Sequence, residues 1–231
     1  MALTDVRLRR ITHAFDGVPA IRHVDLDVER GERVWLCGAN GSGKSTLLRV
    51  VATALAPTYG EGTVLGFDLR SGRDEIRART ELLGHGFRLY ADLTAAENLR
   101  FVCRLYGVPL DRLRPALERV GLDEVADVRT GGFSQGMRQR VALARCLLRD
   151  PALVLLDEPY AGLDADARVL VDDLLVEAAQ CGRTVLIASH EAPPPGSVDR
   201  RIVLEAGRVL PDGAHPVPGD RAVRRTKEAA G

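Results

Sequence analysis

Gly38-Ala39-Asn40-Gly41-Ser42-Gly43-Lys44-Ser45 decides the reading of this chain. The stretch fits the pattern G-x-x-x-x-G-K-[ST] in full, with an extra glycine at Gly41. Glycines let a backbone curl so that successive N–H groups face one anion. The helix expected over Ser45-Thr46-Leu47-Leu48-Arg49-Val50 brings the positive end of its dipole to the same place. Lys44 can reach the β- and γ-phosphates of a nucleotide, and the Ser45 hydroxyl can ligate Mg²⁺. Arg33-Val34-Trp35-Leu36-Cys37 reads as a short buried strand, so the order is strand, glycine loop, helix. Gly38, Ala39, Asn40, Gly41, Ser42, Gly43, Lys44, Ser45 and Thr46 are the expected nucleotide-binding residues.

The wider composition sets limits. A chain of 231 residues suffices for one large domain, or one domain with a subdomain. Hydrophobic residues at 45% and charged residues at 28% are ordinary for a globular protein. Lys plus Arg equals Asp plus Glu at 32 each, so no global basic excess draws nucleic acid. Apolar runs stop well short of the ~18 residues a membrane span needs, and Met1–Arg7 has no apolar signal core. The expectation is therefore a cytosolic chain. Cys37, Cys103, Cys146 and Cys181 stand singly, with no C-x-x-C pair for zinc or redox work. They read as small buried hydrophobes kept reduced.

Outward from the loop, Val6–Ile11 and Ile21–Val28 alternate as strands, with Arg30-Gly31-Glu32 as a turn before the Val34 strand. Thr46–Leu55 reads as helix, ended by Pro57 and Gly60. Gly62–Phe67 and Thr80–Gly84 read as strands. From Thr94 to Leu148 the period turns helical, through Leu99, Val102, Cys103 and Tyr106, then Leu113, Leu117 and Val120, then Val141, Leu143, Ala144 and Leu147. The α/β pattern returns with a strand at Ala152–Leu156, a helix over Ala165–Ala179 and a strand at Thr184–Ala188. Arg201–Glu205 and Arg208–Leu210 suggest a hairpin around Ala206-Gly207. The tail from Pro211, rich in Pro, Gly and charge, is expected to be mobile.

A second half of the nucleotide site follows. Leu153-Val154-Leu155-Leu156 is an apolar strand ending in Asp157 and Glu158. Asp157 at the tip can hold the Mg²⁺ shell through water, and Glu158 can act as general base on an attacking water. His190 follows the next strand at the C-terminal edge, where open α/β sheets keep their sites. It either contacts the γ-phosphate and orients the water or is a structural loop histidine. Phe15 either stacks on adenine or belongs to the core.

In this order the motifs resemble the ATP-binding subunit of an ATP-binding-cassette transporter over nearly the whole chain. Phe15, the loop Gly38–Ser45, the helical insert, Asp157-Glu158, the D-loop-like Ala161-Gly162-Leu163-Asp164 and His190 all take their family places. Thr130–Arg145 matches the family's signature region, where Leu-Ser-Gly-Gly-Gln is usual and Phe133-Ser134-Gln135-Gly136-Met137 stands here. The resemblance implies an α/β fold. A P-loop NTPase (RecA-like) core would carry an N-terminal antiparallel β subdomain and an inserted α-helical subdomain. It implies one ATPase domain over 1–231, with core segments 1–86 and 150–210, helical residues 87–149 and a flexible tail 211–231. Catalytic Lys44, Glu158 and His190 are implied, with ATP and Mg²⁺ as cofactors. Ser134, Gln135 and Gly136 would meet the γ-phosphate of ATP held by a second subunit. Two such domains, as homodimer or heterodimer, would close head to tail on two ATP molecules.

Integral membrane permease subunits are the implied partners and nucleic acid is not, which places the chain peripherally at the cytoplasmic face of a membrane. The docking groove is expected near His85–Asp92. Where the family usually has glutamine, Gly84-His85-Gly86 stands, so His85 becomes a candidate for the Mg²⁺ shell. With Leu93-Thr94-Ala95-Ala96-Glu97-Asn98-Leu99 and the Phe-Ser-x-Gly-Met-Arg-Gln-Arg signature, this resembles the haem-exporter ATPase of cytochrome c biogenesis. A soluble cassette ATPase of cofactor assembly or DNA repair, an exporter ATPase for drugs or lipids, and a non-catalytic cassette are the alternatives. The charge balance weighs against DNA, and intact Lys44, Asp157, Glu158 and His190 weigh against a non-catalytic role.

Overall fold

The computed structural model describes residues 3–84, 89–163 and 165–211. Two sheets enclose one helix. Strands β1 (Thr4–Phe15) and β2 (Val18–Glu29) form an antiparallel hairpin, joined by β4 (Tyr59–Val64) and β5 (Phe67–Asp68) in the order β2-β1-β4-β5. The second sheet contains β3 (Arg33–Cys37), β6 (Thr80–Leu83), β7 (Leu153–Asp157), β8 (Thr184–Ala188), β9 (Arg200–Glu205) and β10 (Arg208–Val209), in the order β10-β9-β3-β8-β7-β6. Its strands are parallel except for the β9–β10 hairpin.

The buried strands explain the layering. Every residue of β7 and β8 is buried, as expected where both faces are covered. Successive side chains point to opposite faces. Leu153, Leu155, Leu186 and Ala188 therefore join one core with α1 (Lys44–Val51) and with Leu8, Ile11 and Ile21 of the antiparallel sheet. Val154, Leu156, Val185 and Ile187 join the other core, with α3 (Ala95–Tyr106), α4 (Leu113–Arg119), α5 (Gln135–Arg149) and α6 (Ala165–Gln180). Leu47, Leu48, Val50 and Val51 are fully buried, at about 1.5–3 kcal/mol each for a side chain of this kind.

Local chemistry corrects several expected boundaries. The helix after the glycine loop ends at Val51, not Leu55. Thr53 takes a left-handed φ of 55°. Its carbonyl accepts from Arg73 at 3.0 Å and from Arg77 at 2.9 Å instead of from a further helical turn. Both arginines belong to α2 (Arg73–Arg79), a helix not anticipated from sequence, although Asp74 and Glu75 in its first turn and Arg77 and Arg79 in its last suit the helix dipole. The strand expected over Gly62–Phe67 is instead the β4–β5 hairpin, turned at Leu65 and Gly66 with φ of 52° and 82°. Cys37, Cys103 and Cys146 are buried, and burial pushes the Cys103 and Cys146 thiols up. Cys181 is exposed, which corrects its assignment to the interior.

One buried cluster ties the helical layer to the sheet edge. Glu81 on β6 is 3% exposed and accepts from Arg145 Nε at 2.7 Å and from Arg149. Arg149 also donates to the carbonyls of Thr80 and Arg77, at 2.9 and 2.7 Å. Glu81→Ala leaves both guanidiniums without their shared anion. It is expected to cost about 3–5 kcal/mol in urea unfolding; a loss below ~1 kcal/mol would show that they pair elsewhere.

Candidate functional site

The glycine loop runs from the end of β3 to the start of α1. Gly38 has φ 155°, and a Cβ there would lie 2.1 Å from the Leu204 carbonyl oxygen. Gly43 has φ 104°, and its Cβ would lie 2.6 Å from the Ala20 carbonyl oxygen. Only glycine lets the chain pass both points. Gly43 is also the residue before α1, and no side chain caps that helix. The first N–H groups of a helix have no intrahelical partner, so they are left for an anion. Ser42 Oγ is buried and has no hydrogen-bond partner among the described residues. A buried orphan hydroxyl beside an uncapped helix is what a phosphate-bearing ligand would satisfy.

The charged groups converge on the same edge of the sheet. Lys44 is 5% exposed, and its Nζ donates to the carbonyls of Gly38 and Ala39 at 2.7 and 3.2 Å. Nζ also stands 3.6 Å from Glu158 Oε1. Ser45 Oγ donates to Asp157 Oδ1 at 2.7 Å, which places a hydroxyl and a buried carboxylate together at the tip of β7. These are hard oxygen donors, the set Mg²⁺ takes when phosphates and water supply its remaining ligands. The residues thus fit a nucleotide's phosphates and Mg²⁺.

Glu158 sits one residue past the strand with φ 50°, a left-handed conformation that is costly for a side-chain-bearing residue. Its N–H donates to Ala188 O at 2.7 Å, which holds the turn against β8. Glu158 Oε2 lies 2.8 Å from His190 Nδ1 and 3.3 Å from the His190 N–H. Carboxylate, imidazole and ammonium therefore form one connected group.

Neighbours to which the sequence reading gave no place in the site anchor it. Trp35 Nε1 donates to Ser189 O at 3.1 Å, and Ser189 Oγ donates to Glu191 O at 2.7 Å. Glu191 pairs with Arg168 of α6 at 2.9 Å. Arg168 holds the Glu191 carboxyl below the usual range, and Glu191 raises the Arg168 guanidinium in return. The clue in sequence was only an acid following His190, too common to single out.

Other expected residues lie apart. Ser134 caps α5, accepting from the Met137 N–H at 3.2 Å, and Ser134 and Gln135 are exposed. Among the described residues no hydrogen bond or ion pair joins Ser134, Gln135 or Gly136 to Gly38–Ser45. Phe15 ends β1, 47% exposed, with its ring edge-on to His13 at 4.6 Å. That is not a core position. His85 lies outside the described residues. Gly84 adjoins Asp157 so closely that a Cβ would come 2.7 Å from Asp157 Cβ.

Strand, phosphate loop, helix and a strand-tip carboxylate define a P-loop nucleotide hydrolase. The family model described as ABC transporter matches residues 21–161. The chain is 37% identical over 220 residues to the ABC transporter ATP-binding protein NatA of Bacillus subtilis, covering 93% of this chain and 89% of that protein. It is 37% identical over 215 residues to the cytochrome c biogenesis ATP-binding export protein CcmA of Cupriavidus pinatubonensis, covering 92% and 91%. A solved ATP-binding subunit of an ABC transporter superposes with a TM-score of 0.81 at 29% identity, over 88% of this chain and 87% of that one. The chain belongs to the ABC transporter family, as an ATP-binding subunit that hydrolyses ATP for transport. Its cofactors are ATP and Mg²⁺, and subunits of this kind dimerise and partner membrane permeases. No helix of the described residues is long and apolar enough to cross a membrane.

Lys44→Ala removes the loop's side-chain cation. ATP affinity in calorimetry is expected to fall by about 10- to 100-fold, the size of one or two charged hydrogen bonds, and hydrolysis to be lost. Binding as tight as wild type would remove Lys44 from the site.

Proposed function

We propose that the chain is one ATPase domain that powers an exporter from the cytoplasmic face of a membrane. Residues 1–86 and 150–210 would be its core and 87–149 its helical subdomain. The observation that carries the ATPase part of this reading is the meeting of Lys44, Ser45, Asp157, Glu158 and His190 at one sheet edge beside an uncapped helix.

The distances support the following residue roles. The loop N–H groups of Gly38–Thr46 and Lys44 would bind the β- and γ-phosphates, and Ser45 with Asp157 would hold Mg²⁺. Bound Mg²⁺ supplies charge neutralisation on the phosphate oxygens. Glu158 accepts a proton from water as the water oxygen bonds to the γ-phosphorus and the bond to ADP breaks. His190, 2.8 Å from the same carboxylate, keeps Glu158 aimed and orients the water. Phosphates compete with Glu158 for Lys44, so nucleotide frees the carboxylate for the water. Phe15, exposed at the hairpin tip, is free to stack on adenine.

Ser134, Gln135 and Gly136 serve the ATP of a second copy. Ser134 and Gln135 are exposed at the positive end of a 15-residue helix, and among the described residues none of the three bonds to its own loop, which supports action in trans. A cavity of about 470 Å³ beside β6 is lined by Leu89, Tyr90, Phe101, Leu105, Tyr106 and Arg149. Phe101, Leu105 and Tyr90 are 45%, 62% and 54% exposed there, a patch that suits an apolar cytoplasmic segment of the permease. Haem for cytochrome c assembly is the proposed cargo, supported by the likeness to CcmA and by Gly84-His85-Gly86 with the Phe133–Arg140 signature. A deletion strain should lose its holo-cytochromes c; unchanged haem-stained cytochromes would overturn the cargo.

Glu158→Gln should bind ATP yet hydrolyse it about 10²–10⁴-fold more slowly, the usual worth of a general base, and accumulate as an ATP-dependent dimer in light scattering. A variant that stays monomeric and turns over at the wild-type rate would refute both the base and the closed dimer.

Mixing separates cis from trans. In a Gly136→Asp chain the new carboxylate repels the γ-phosphate. Paired with a Lys44→Ala chain, it leaves one composite site with an intact loop and an intact signature. Activity should reappear on mixing and peak near equal amounts. Its absence at every ratio would argue against shared sites.

A further inference from the structure

The phosphate loop is held from behind by a segment far away in sequence. The β9–β10 hairpin turns at Ala206 and Gly207, with φ of 45° and 79°. Gly207 N–H donates to Ser42 O at 3.0 Å, inside the loop, and Gly207 O accepts from the Arg22 N–H at 2.7 Å. A Cβ on Gly207 would lie 2.7 Å from the Ala20 carbonyl oxygen. That oxygen is the one a Cβ on Gly43 would strike, and the Leu204 carbonyl of the same hairpin excludes a Cβ on Gly38. Loop, β2 and hairpin thus pack backbone on backbone.

The bond to Ser42 O has a directional consequence. Ser42 C=O and Gly43 N–H belong to one planar trans peptide, so they point in opposite directions. A carbonyl fixed toward Gly207 aims the Gly43 N–H away from the hairpin. Gly43 is the residue that leads into α1, where the orphan donors lie. We propose that Gly207 is a positioning residue for nucleotide binding: it touches no nucleotide, but sets the peptide orientation of the loop that does. This rests on the nucleotide reading of Gly38–Ser45.

Gly66 supplies a control. It has φ 82° in the β4–β5 turn, and nothing lies within 4 Å of a Cβ placed there. Gly207→Ala and Gly66→Ala carry the same backbone penalty, and only the first meets the loop's support. Gly207→Asn tolerates a left-handed φ better while keeping the Cβ, so it separates collision from strain. Both Gly207 variants should bind ATP about tenfold or more weakly in calorimetry, the size of one misdirected charged hydrogen bond. They should show a raised KM with a smaller change in kcat. Gly66→Ala should lose thermal stability and keep wild-type affinity.

Hydrogen exchange on the wild-type chain gives a second readout that does not depend on a variant folding. Saturating ATP should slow exchange at the Gly207 and Arg22 amides and leave the Leu65-Gly66 turn unchanged. Gly207 variants that bind within about twofold of wild type, a margin worth ~0.4 kcal/mol, would overturn the inference, as would unslowed exchange at Gly207. Wild-type chain that binds no ATP would overturn the nucleotide reading and this inference together.

Discussion

A helix that begins without a cap is the constraint on which the rest of this structure depends. Residues at Gly43 and Gly38 can have no side chain, because the carbonyls of Ala20 and Leu204 stand where a Cβ would go. The N-terminus of α1 is therefore brought hard against the antiparallel sheet and the β9–β10 hairpin, with its donors unspent. Leaving those donors and the Ser42 hydroxyl without partners is unfavourable for the chain by itself. A polyanionic ligand reverses that cost. The polar groups left without partners are the ones proposed to take the ligand, which would link folding to binding.

The sheets follow from the need to hold that helix. With α1 between the two sheets, the parallel strands bury both faces, and the alternation of Leu153/Leu155 with Val154/Leu156 divides them between two cores. Asp157 and Glu158 come next in the same strand direction, so the carboxylates emerge at the edge where α1 begins. The left-handed φ of Glu158 is the local cost of turning two acids in succession toward one site. A single β register places the glycine loop, Ser45, Asp157 and Glu158 together.

Much of this was legible because the decisive signals are local. The loop Gly38–Ser45, the strand ending in Asp157-Glu158 and the turn at Ala206-Gly207 each carry their geometry in a few residues. Helix Ala165–Ala179 was readable from its period to within one residue of α6. What escaped depends on distant partners. The early end of α1 is set by Arg73 and Arg77 reaching Thr53, which no window around Thr53 reveals. The hairpin at Asp16-Gly17, with φ of 46° and 81°, did have a local signal, the Asp-Gly pair of a two-residue turn. The bulges at Arg10 and His23 had none, and they explain why buried positions step from Leu8 to Ile11 and from Ile21 to Val24 instead of alternating. In the site, Lys44, Ser45, Asp157, Glu158 and His190 were readable by motif, whereas Gly207 and Glu191 act through backbone and side-chain neighbours that only the fold supplies.

One helix reaches both of the surfaces proposed for partners. Helix α5 is capped by Ser134, a residue proposed to meet a second copy's ATP, and ends at Arg149, which lines the cavity beside β6. Fifteen residues at 1.5 Å each make a rod of about 22 Å. Its far end is fixed by a buried carboxylate, Glu81, shared between Arg145 and Arg149, and Arg149 also stacks over Tyr106 at 3.7 Å from the ring centroid. A segment seated against Tyr106 and Arg149 bears on the same side chains that anchor the helix. The cavity and the Ser134 end therefore share one helix, anchored at the cavity by the Glu81 cluster.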